Sequence, residues 1–107
     1  MTLVSRDEKP DAGVRHILDA LRDYESAHPH AQIEAYRQNP VSIRIRIIDP
    51  DLRGMDRVDR DSLLWKTLEK LPEEVQADIT LLLLLTPEET AASIANLEFD
   101  HPVPSVL

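Results

Sequence analysis

The stretch VSIRIRIID, residues 41–49, is the clearest strand in the sequence and decides the fold. Its apolar residues alternate with serine and arginine, which is the period-two pattern of a strand with one buried face. Residues 31–38 predict a second strand, and the intervening Asn39-Pro40 is a turn signal. Because so short a connection joins the two strands, we expect an antiparallel hairpin.

The sequence on either side of this hairpin predicts helices and a third strand. Apolar residues at helical spacing follow Asp11, which is a suitable N-cap. A second helix begins after Asp56 and runs to about Leu71, and a short helix follows Pro72. The apolar run at residues 79–85 does not alternate, which indicates a strand covered on both faces.

The sequence Thr86-Pro87-Glu88-Glu89 predicts the start of a last helix. It offers a threonine cap, a proline at the first helical position and a glutamate at the third. We expect this helix to run to about Leu97 and to turn four apolar residues toward the core: Ala91, Ile94, Ala95 and Leu97.

These elements follow the order α-β-β-α-(short α)-β-α, which predicts an α+β domain of two layers with a three-stranded sheet. We expect one domain over residues 10–98, a flexible N-terminus at residues 1–9 and a flexible C-terminal tail at residues 99–107. We expect the first two helices to cover the apolar face of residues 41–47. Either the last helix or a partner covers the face that bears the arginines.

The composition excludes several classes of protein. A chain of 107 residues suffices for one domain, and the absence of cysteine removes disulfides, thiolate metal sites and cysteine nucleophiles. The net charge of −8 disfavours broad affinity for nucleic acid or anionic membranes. The sequence shows no signal peptide, and its longest apolar run is the five leucines at residues 81–85, so we expect a cytoplasmic protein with no membrane partner.

The charges are unevenly distributed along the chain. Residues 71–107 carry seven acidic side chains and no lysine or arginine, whereas the middle of the chain holds six arginines. Since planar guanidinium groups suit bidentate contact with carboxylate or phosphate, these are the candidate partner- or anion-binding residues: Arg37, Arg44, Arg46, Arg53, Arg57 and Arg60. The competing interpretation is that they are surface arginines paired with local acids such as Glu34 and Asp49.

Residues 42–68, SIRIRIIDPDLRGMDRVDRDSLLWKTL, resemble the core of the BolA-like family, in which a Phe-x-Gly turn and a helix follow an apolar strand. Leu52 stands at the phenylalanine position, Gly54 stands at the glycine position, and Arg60 and Trp65 match the helix. The stretch Thr86, Pro87, Glu88 and Glu89 is similar to the T-P-E-E motif of the family. The resemblance implies a BolA-like topology, which is like that of the class II KH fold, with these residues in structural roles.

The positions of the family's metal ligands differ in this sequence. Asp61 stands at the position of the family's helix histidine. Asp78 stands at the position of the histidine that helps to ligate a [2Fe-2S] cluster shared with monothiol glutaredoxins. The hairpin connection is also too short for the loop that supplies the family's second ligand. We therefore expect the scaffold to be retained without metal ligands or cofactors.

The remaining motifs do not predict catalysis or metal binding. Asp49-x-Asp51-x-x-Gly54 resembles the start of a calcium loop, but Arg53 and Arg60 stand where that loop needs oxygen ligands. His28-x-His30 could supply two imidazoles to a metal, and the alternative is two exposed histidines beside a helix-ending proline. The sequence has neither a glycine-rich phosphate loop nor a serine in a triad-like context, so we expect no enzymatic activity.

The sequence therefore predicts a small non-enzymatic protein-interaction or regulatory module. The partner is another protein or a second copy of the chain, in which the arginine strand of one copy pairs with the acidic residues 71–107 of the other. An alternative is nucleic-acid binding on a KH-like scaffold through Arg44, Arg46, Arg53 and Arg57. A third hypothesis is a glutaredoxin partner that no longer ligates a cluster.

Overall fold

The computed structural model of the chain describes residues 2–5 and 11–101. Four strands form one mixed sheet in the order 1-2-3-4: β1 (Thr2–Ser5), β2 (Gln32–Asn39), β3 (Ser42–Ile48) and β4 (Ile79–Leu85). Four α-helices accompany them: α1 (Ala12–Ala27), α2 (Arg57–Leu68), α3 (Glu73–Asp78) and α4 (Ile94–Asp100). Short 3₁₀ helices cover Pro50–Leu52 and Pro87–Ala92. None of the helices in these residues is long and apolar enough to cross a membrane.

The hairpin at the centre of the sheet is formed as predicted. β2 and β3 pair antiparallel, with Ala35 opposite Ile45, and a turn at residues 40–41 joins them. The outer strands pair parallel to their neighbours, β1 with β2 and β4 with β3. The α+β class is therefore confirmed.

The sheet has one strand more than the three predicted, because β1 lies in the segment expected to be a flexible N-terminus. Thr2–Ser5 pairs in parallel register with residues 32–35 of β2. A segment of four residues is too short to show a convincing strand period, which is why the sequence does not predict it. The rest of the predicted flexible segment lies outside the described residues.

The main core lies between the sheet and the first three helices. Ile43, Ile45 and Ile47 of β3 are fully buried against apolar residues of α1 and α2. Both predicted N-caps are present: the side chain of Asp11 accepts from Val14 N–H at 2.9 Å, and Asp56 caps α2 in the same way. Val41 is exposed in the turn, because the strand begins one residue later than predicted.

Helix α4 covers the second face of the sheet and forms a smaller core there. Phe99 is fully buried with Tyr36 of β2 and with Leu83 and Leu85 of β4. Of the two alternatives for this face, the last helix is the cover, so the fold has helices on both faces instead of two layers. The domain therefore extends past residue 98 into the predicted tail, of which residues 102–107 lie outside the described residues.

The predicted last helix is divided into two pieces, and its predicted inner face is wrong. Ser93 has an extended backbone between the 3₁₀ helix and α4, and its side chain caps α4 by accepting from Asn96 N–H at 3.0 Å. This break resets the helical phase. As a result Ile94 is 84% exposed and Leu97 is 62% exposed, while Phe99 points inward.

We expect Phe99→Ala to lower the free energy of unfolding by about 3–5 kcal/mol, because it removes a fully buried aromatic side chain. The control is Leu97→Ala on the same helix, which should change stability by less than about 0.5 kcal/mol because Leu97 is exposed. Urea unfolding followed by circular dichroism measures both. Equal effects of the two substitutions would contradict the packing of α4 on the sheet.

Candidate functional site

The two arginines on the second face of the sheet are held by carboxylates. Arg44 Nη1 lies 2.7 Å from both carboxylate oxygens of Glu98 on α4. Arg46 donates to Glu34 of β2 at 2.9 Å and to Asp100 of α4 at 2.8 Å. The face that was expected to receive a partner is thus covered by the chain's own helix.

Arg37 lies on the opposite face of the sheet, at the start of α1. Its guanidinium pairs with the N-cap Asp11 and lies 3.3 Å from the Asp78 carboxylate. The hydrogen bond from Arg37 holds the pKa of the Asp11 carboxyl below its usual range. Gly13 leaves room for this arginine, since a Cβ at that position would lie 3.0 Å from Arg37 Nη2. Arg37 therefore does not join the arginines of β3.

The other three candidate arginines lie in or just before the first turns of α2. Arg53 pairs with Glu88, and Arg60 Nη1 lies 2.7 Å from Glu89 Oε1. Arg57 is exposed and has no ion-pair partner within residues 11–101. The six arginines are consequently spread over three places on the molecule.

Five of the six candidate arginines pair with carboxylates in residues 71–107 of the same chain. One hypothesis from the sequence placed these contacts between two copies and the competing interpretation placed them within the chain; in the structure the ion pairs lie within one chain. Phosphate groups of a nucleic acid would have to displace these carboxylates to reach the guanidinium groups.

The residues that carry the BolA-like resemblance lie in the core and at turns. Leu52 is fully buried, and Trp65 packs half-buried against the main core. Gly54 has a φ of +85°, a conformation that favours glycine. The side chain of Glu89 accepts from Thr86 N–H at 2.8 Å, which completes a capping box at the 3₁₀ helix that begins with Pro87.

A groove of about 510 Å³ runs along the edge of β4 that pairs with no other strand in residues 2–5 and 11–101, here called its free edge. Its floor is Leu82–Leu85 of the strand. One wall is the start of α2, including Arg60 and Asp61, and the other wall is the small side chains Ala92, Ser93 and Ala95 before and within α4. The strand edge is therefore recessed between two walls.

Alternate peptide groups of β4 point into this groove. The Leu85 carbonyl accepts from Asp49 N–H at 2.9 Å, so the peptide groups of Leu85 and Leu83 face β3. The peptide groups of Leu82 and Leu84 point away from β3, into the groove. Arg60 donates to the Leu84 carbonyl at 3.1 Å, but within the described residues no group bonds to the Leu84 N–H or to either backbone group of Leu82.

Arg60 covers one end of this edge. Its side chain is 11% exposed and bridges the Leu84 carbonyl and the Glu89 carboxylate, while its Nε is buried without a hydrogen-bond partner in the described part of the chain. Ion pairs laid over an edge strand hinder further strand pairing there. The groups of this edge that remain open within the described residues are therefore the Leu84 N–H and both backbone groups of Leu82.

A second cluster joins the end of α1 to the segment after β3. The fully buried Asp49 carboxylate accepts from the Tyr24 hydroxyl at 2.5 Å. His28 Nδ1 lies 2.9 Å from Asp51 Oδ2 and 3.2 Å from Asp49 Oδ2, and the His28 ring stacks on Tyr24 at 4.0 Å. Burial and the hydrogen bond to Asp49 raise the pKa of Tyr24 well above its usual value.

This cluster brings together residues of the two candidate metal-binding motifs in the sequence. His28 of the histidine pair lies beside Asp49 and Asp51 of the calcium-loop-like motif, and His30 is not part of the group. The three ligand atoms lie within 4.8 Å of one another, a spacing that could hold a cation. They are already joined by hydrogen bonds, and the cluster fastens α1 to the sheet. No local sequence pattern indicates this contact, because the partners are more than twenty residues apart.

Comparison with known proteins gave no match among family models, curated proteins or solved structures. The function is therefore inferred from the groove and the cluster themselves. Of these two features, only the groove leaves backbone hydrogen-bonding groups open.

We expect the free energy of unfolding to change less between pH 5 and pH 2 in Glu89→Gln than in the wild type. The hydrogen bond from Arg60 lowers the pKa of Glu89 from 4.5 to about 2. Because the folded state favours the carboxylate, its contribution to stability is present above pH 4.5 and is lost as the pH falls toward 2.

Urea unfolding between pH 5 and pH 2 measures this effect as the difference between the wild type and Glu89→Gln. The control is Glu69→Gln, an exposed position whose side chain forms no hydrogen bond or ion pair within the described residues. Equal slopes for the wild type and Glu89→Gln would contradict the Arg60–Glu89 contact.

We expect Tyr24→Phe to lower the free energy of unfolding by about 1–3 kcal/mol, because it leaves the buried Asp49 carboxylate without its hydroxyl donor. Since the folded state raises the pKa of Tyr24, the wild type should also lose stability above pH 10, and the variant should not share that loss. Asp23→Asn, at the exposed neighbouring position, is the control. A stable Tyr24→Phe protein would contradict the anchoring role of the cluster.

Proposed function

We propose that this chain is a protein-interaction module that receives an extended segment of a partner at the free edge of β4. One observation carries the proposal: the open backbone groups of Leu82 and the Leu84 N–H line a groove with a wall on each side. Open edge strands readily pair with an added strand, and the backbone hydrogen bonds supply affinity.

The edge is favoured over the faces of the sheet because both faces are covered. Leu83 and Leu85 pack beneath α4, and Leu84 and Leu82 pack in or against the main core. The leucine side chains of β4 therefore pack within the domain. A partner would bind the backbone N–H and C=O groups of the strand.

The outer surface of α4 extends the proposed contact area. Ile94 and Leu97 are large apolar side chains, largely exposed and three positions apart on this helix. Single exposed apolar residues are common on proteins, but these two line a second, shallower depression that shares Ala92 and Ser93 with the groove. They would give a bound segment an apolar surface to pack on.

A non-catalytic role on a BolA-like scaffold is part of the same proposal. The order α1-β2-β3-α2-α3-β4-α4 is compatible with the predicted order α-β-β-α-(short α)-β-α, and β1 is added before it. The scaffold supplies the parallel pairing of β3 and β4 that leaves β4 at the edge.

The proposal is tested with random twelve-residue peptides displayed on phage and selected against the full chain. A selected peptide is then synthesised and titrated into isotope-labelled protein. We expect the largest amide shifts at Leu82, Leu84 and Ser93, which line the groove. N-methylation of alternate peptide residues should weaken binding about tenfold or more in one register and little in the other, because only alternate N–H groups face the strand.

The double substitution Ile94→Ser with Leu97→Ser should lower the affinity of the protein for the same peptide without changing the free energy of unfolding. Val58→Ser is the matched control, because Val58 is exposed on α2 and does not line the groove. Shifts confined to other surfaces, or a selection that yields no binding peptide, would overturn the proposal.

A further inference from the structure

We propose that the segment bound along β4 is basic and that a lysine or arginine of this segment contacts Asp61. This inference rests on the proposed function and adds the chemical class of the partner. The observations behind it are the charged groups that line the groove and the net charge of the chain.

Asp61 is the acid in the groove that lacks a partner. It is half-buried in the α2 wall, and its side chain forms no hydrogen bond or ion pair within the described residues. The other acids in the groove have contacts: Asp56 caps α2 and Glu89 binds Arg60. A half-buried carboxylate without a partner is stabilised when a cation comes within ion-pair distance.

The two bases of the groove do not oppose this assignment. Arg60 is already neutralised by Glu89 and lies over the Leu84 carbonyl. Arg57 is exposed and stands four positions before Asp61, so both side chains lie on the same face of α2, but no ion pair joins them within the described residues.

The charge of the whole chain favours the same kind of partner. The net charge is −8, and residues 71–107, which include β4 and the second wall of the groove, hold no lysine or arginine. Such a field attracts a cationic segment and raises its association rate. Two copies of the chain carry the same net charge, which disfavours their association relative to that of a cationic segment.

The walls also predict the pattern of the bound segment. Side chains of an added strand alternate between the α2 wall and the α4 wall. The α2 wall offers Asp61, and the α4 wall offers the small residues Ala92, Ser93 and Ala95, which leave space for apolar side chains. We therefore infer a segment in which basic residues alternate with apolar ones.

Three synthetic octapeptides test the inference, in which valine alternates with lysine, with glutamine or with glutamate. Titration into the isotope-labelled full chain at low salt gives their affinities and their contact residues. We expect the lysine peptide to bind about tenfold more tightly than the glutamine peptide, and the glutamate peptide to bind most weakly. The difference should shrink at high salt, because exposed charges are screened.

The matched variants are Asp61→Asn and Asp59→Asn, which change the net charge equally. Asp59 lies on the exposed side of α2 and does not line the groove. Asp61→Asn should lower the affinity for the lysine peptide about threefold or more relative to Asp59→Asn. The affinity for the glutamine peptide should be the same in both variants.

The outcomes separate this inference from the proposed function. Equal affinity of the lysine and glutamine peptides, with shifts at Leu82 and Leu84, would overturn the basic preference and leave the edge site intact. Equal effects of the two aspartate substitutions would also overturn it. Absence of shifts at Leu82 and Leu84 with all three peptides would count against the edge site itself.

Discussion

The second face of the sheet depends on Arg46, which joins β2, β3 and α4. Its guanidinium donates to Glu34, Asn96 and Asp100 and lies 4.6 Å from the centroid of the Phe99 ring. The side chain is only 11% exposed, and burying a charge is costly. The charge is tolerated here because carboxylates and an amide oxygen accept hydrogen bonds from the guanidinium group. Without α4 this arginine would lose two of its partners and the apolar residues of the smaller core would be exposed to water.

Local patterns were sufficient to predict the central hairpin, the last strand and the caps. Asp11, Asp56 and the capping box at Thr86 act within a few residues of their own position, so the sequence shows them directly. Features that depend on distant contacts could not be predicted in this way. The extended backbone of Ser93 changed which face of α4 is buried, and the pairing partner of the short strand β1 lies thirty residues away.

The candidate site shows the same division between local and distant information. The sequence shows the six arginines as a group. Only the structure shows that five of these arginines form ion pairs with carboxylates of residues 71–107. The leucines of β4 correctly predicted a strand covered on both faces. They could not predict that one edge of β4 pairs with no described strand. Side-chain patterns indicate which faces of a strand are buried, whereas the sheet order determines which edges are paired.

The position of α4 late in the chain has a consequence for biosynthesis. A nascent chain leaves the ribosome from its N-terminus, so all four strands emerge before residues 94–100. Until then Arg44 and Arg46 lack their carboxylates on α4, and Leu83 and Leu85 lie uncovered beside them. The nascent domain therefore passes through a stage in which a cationic and apolar surface is open to chaperones, and the arrival of α4 ends that stage.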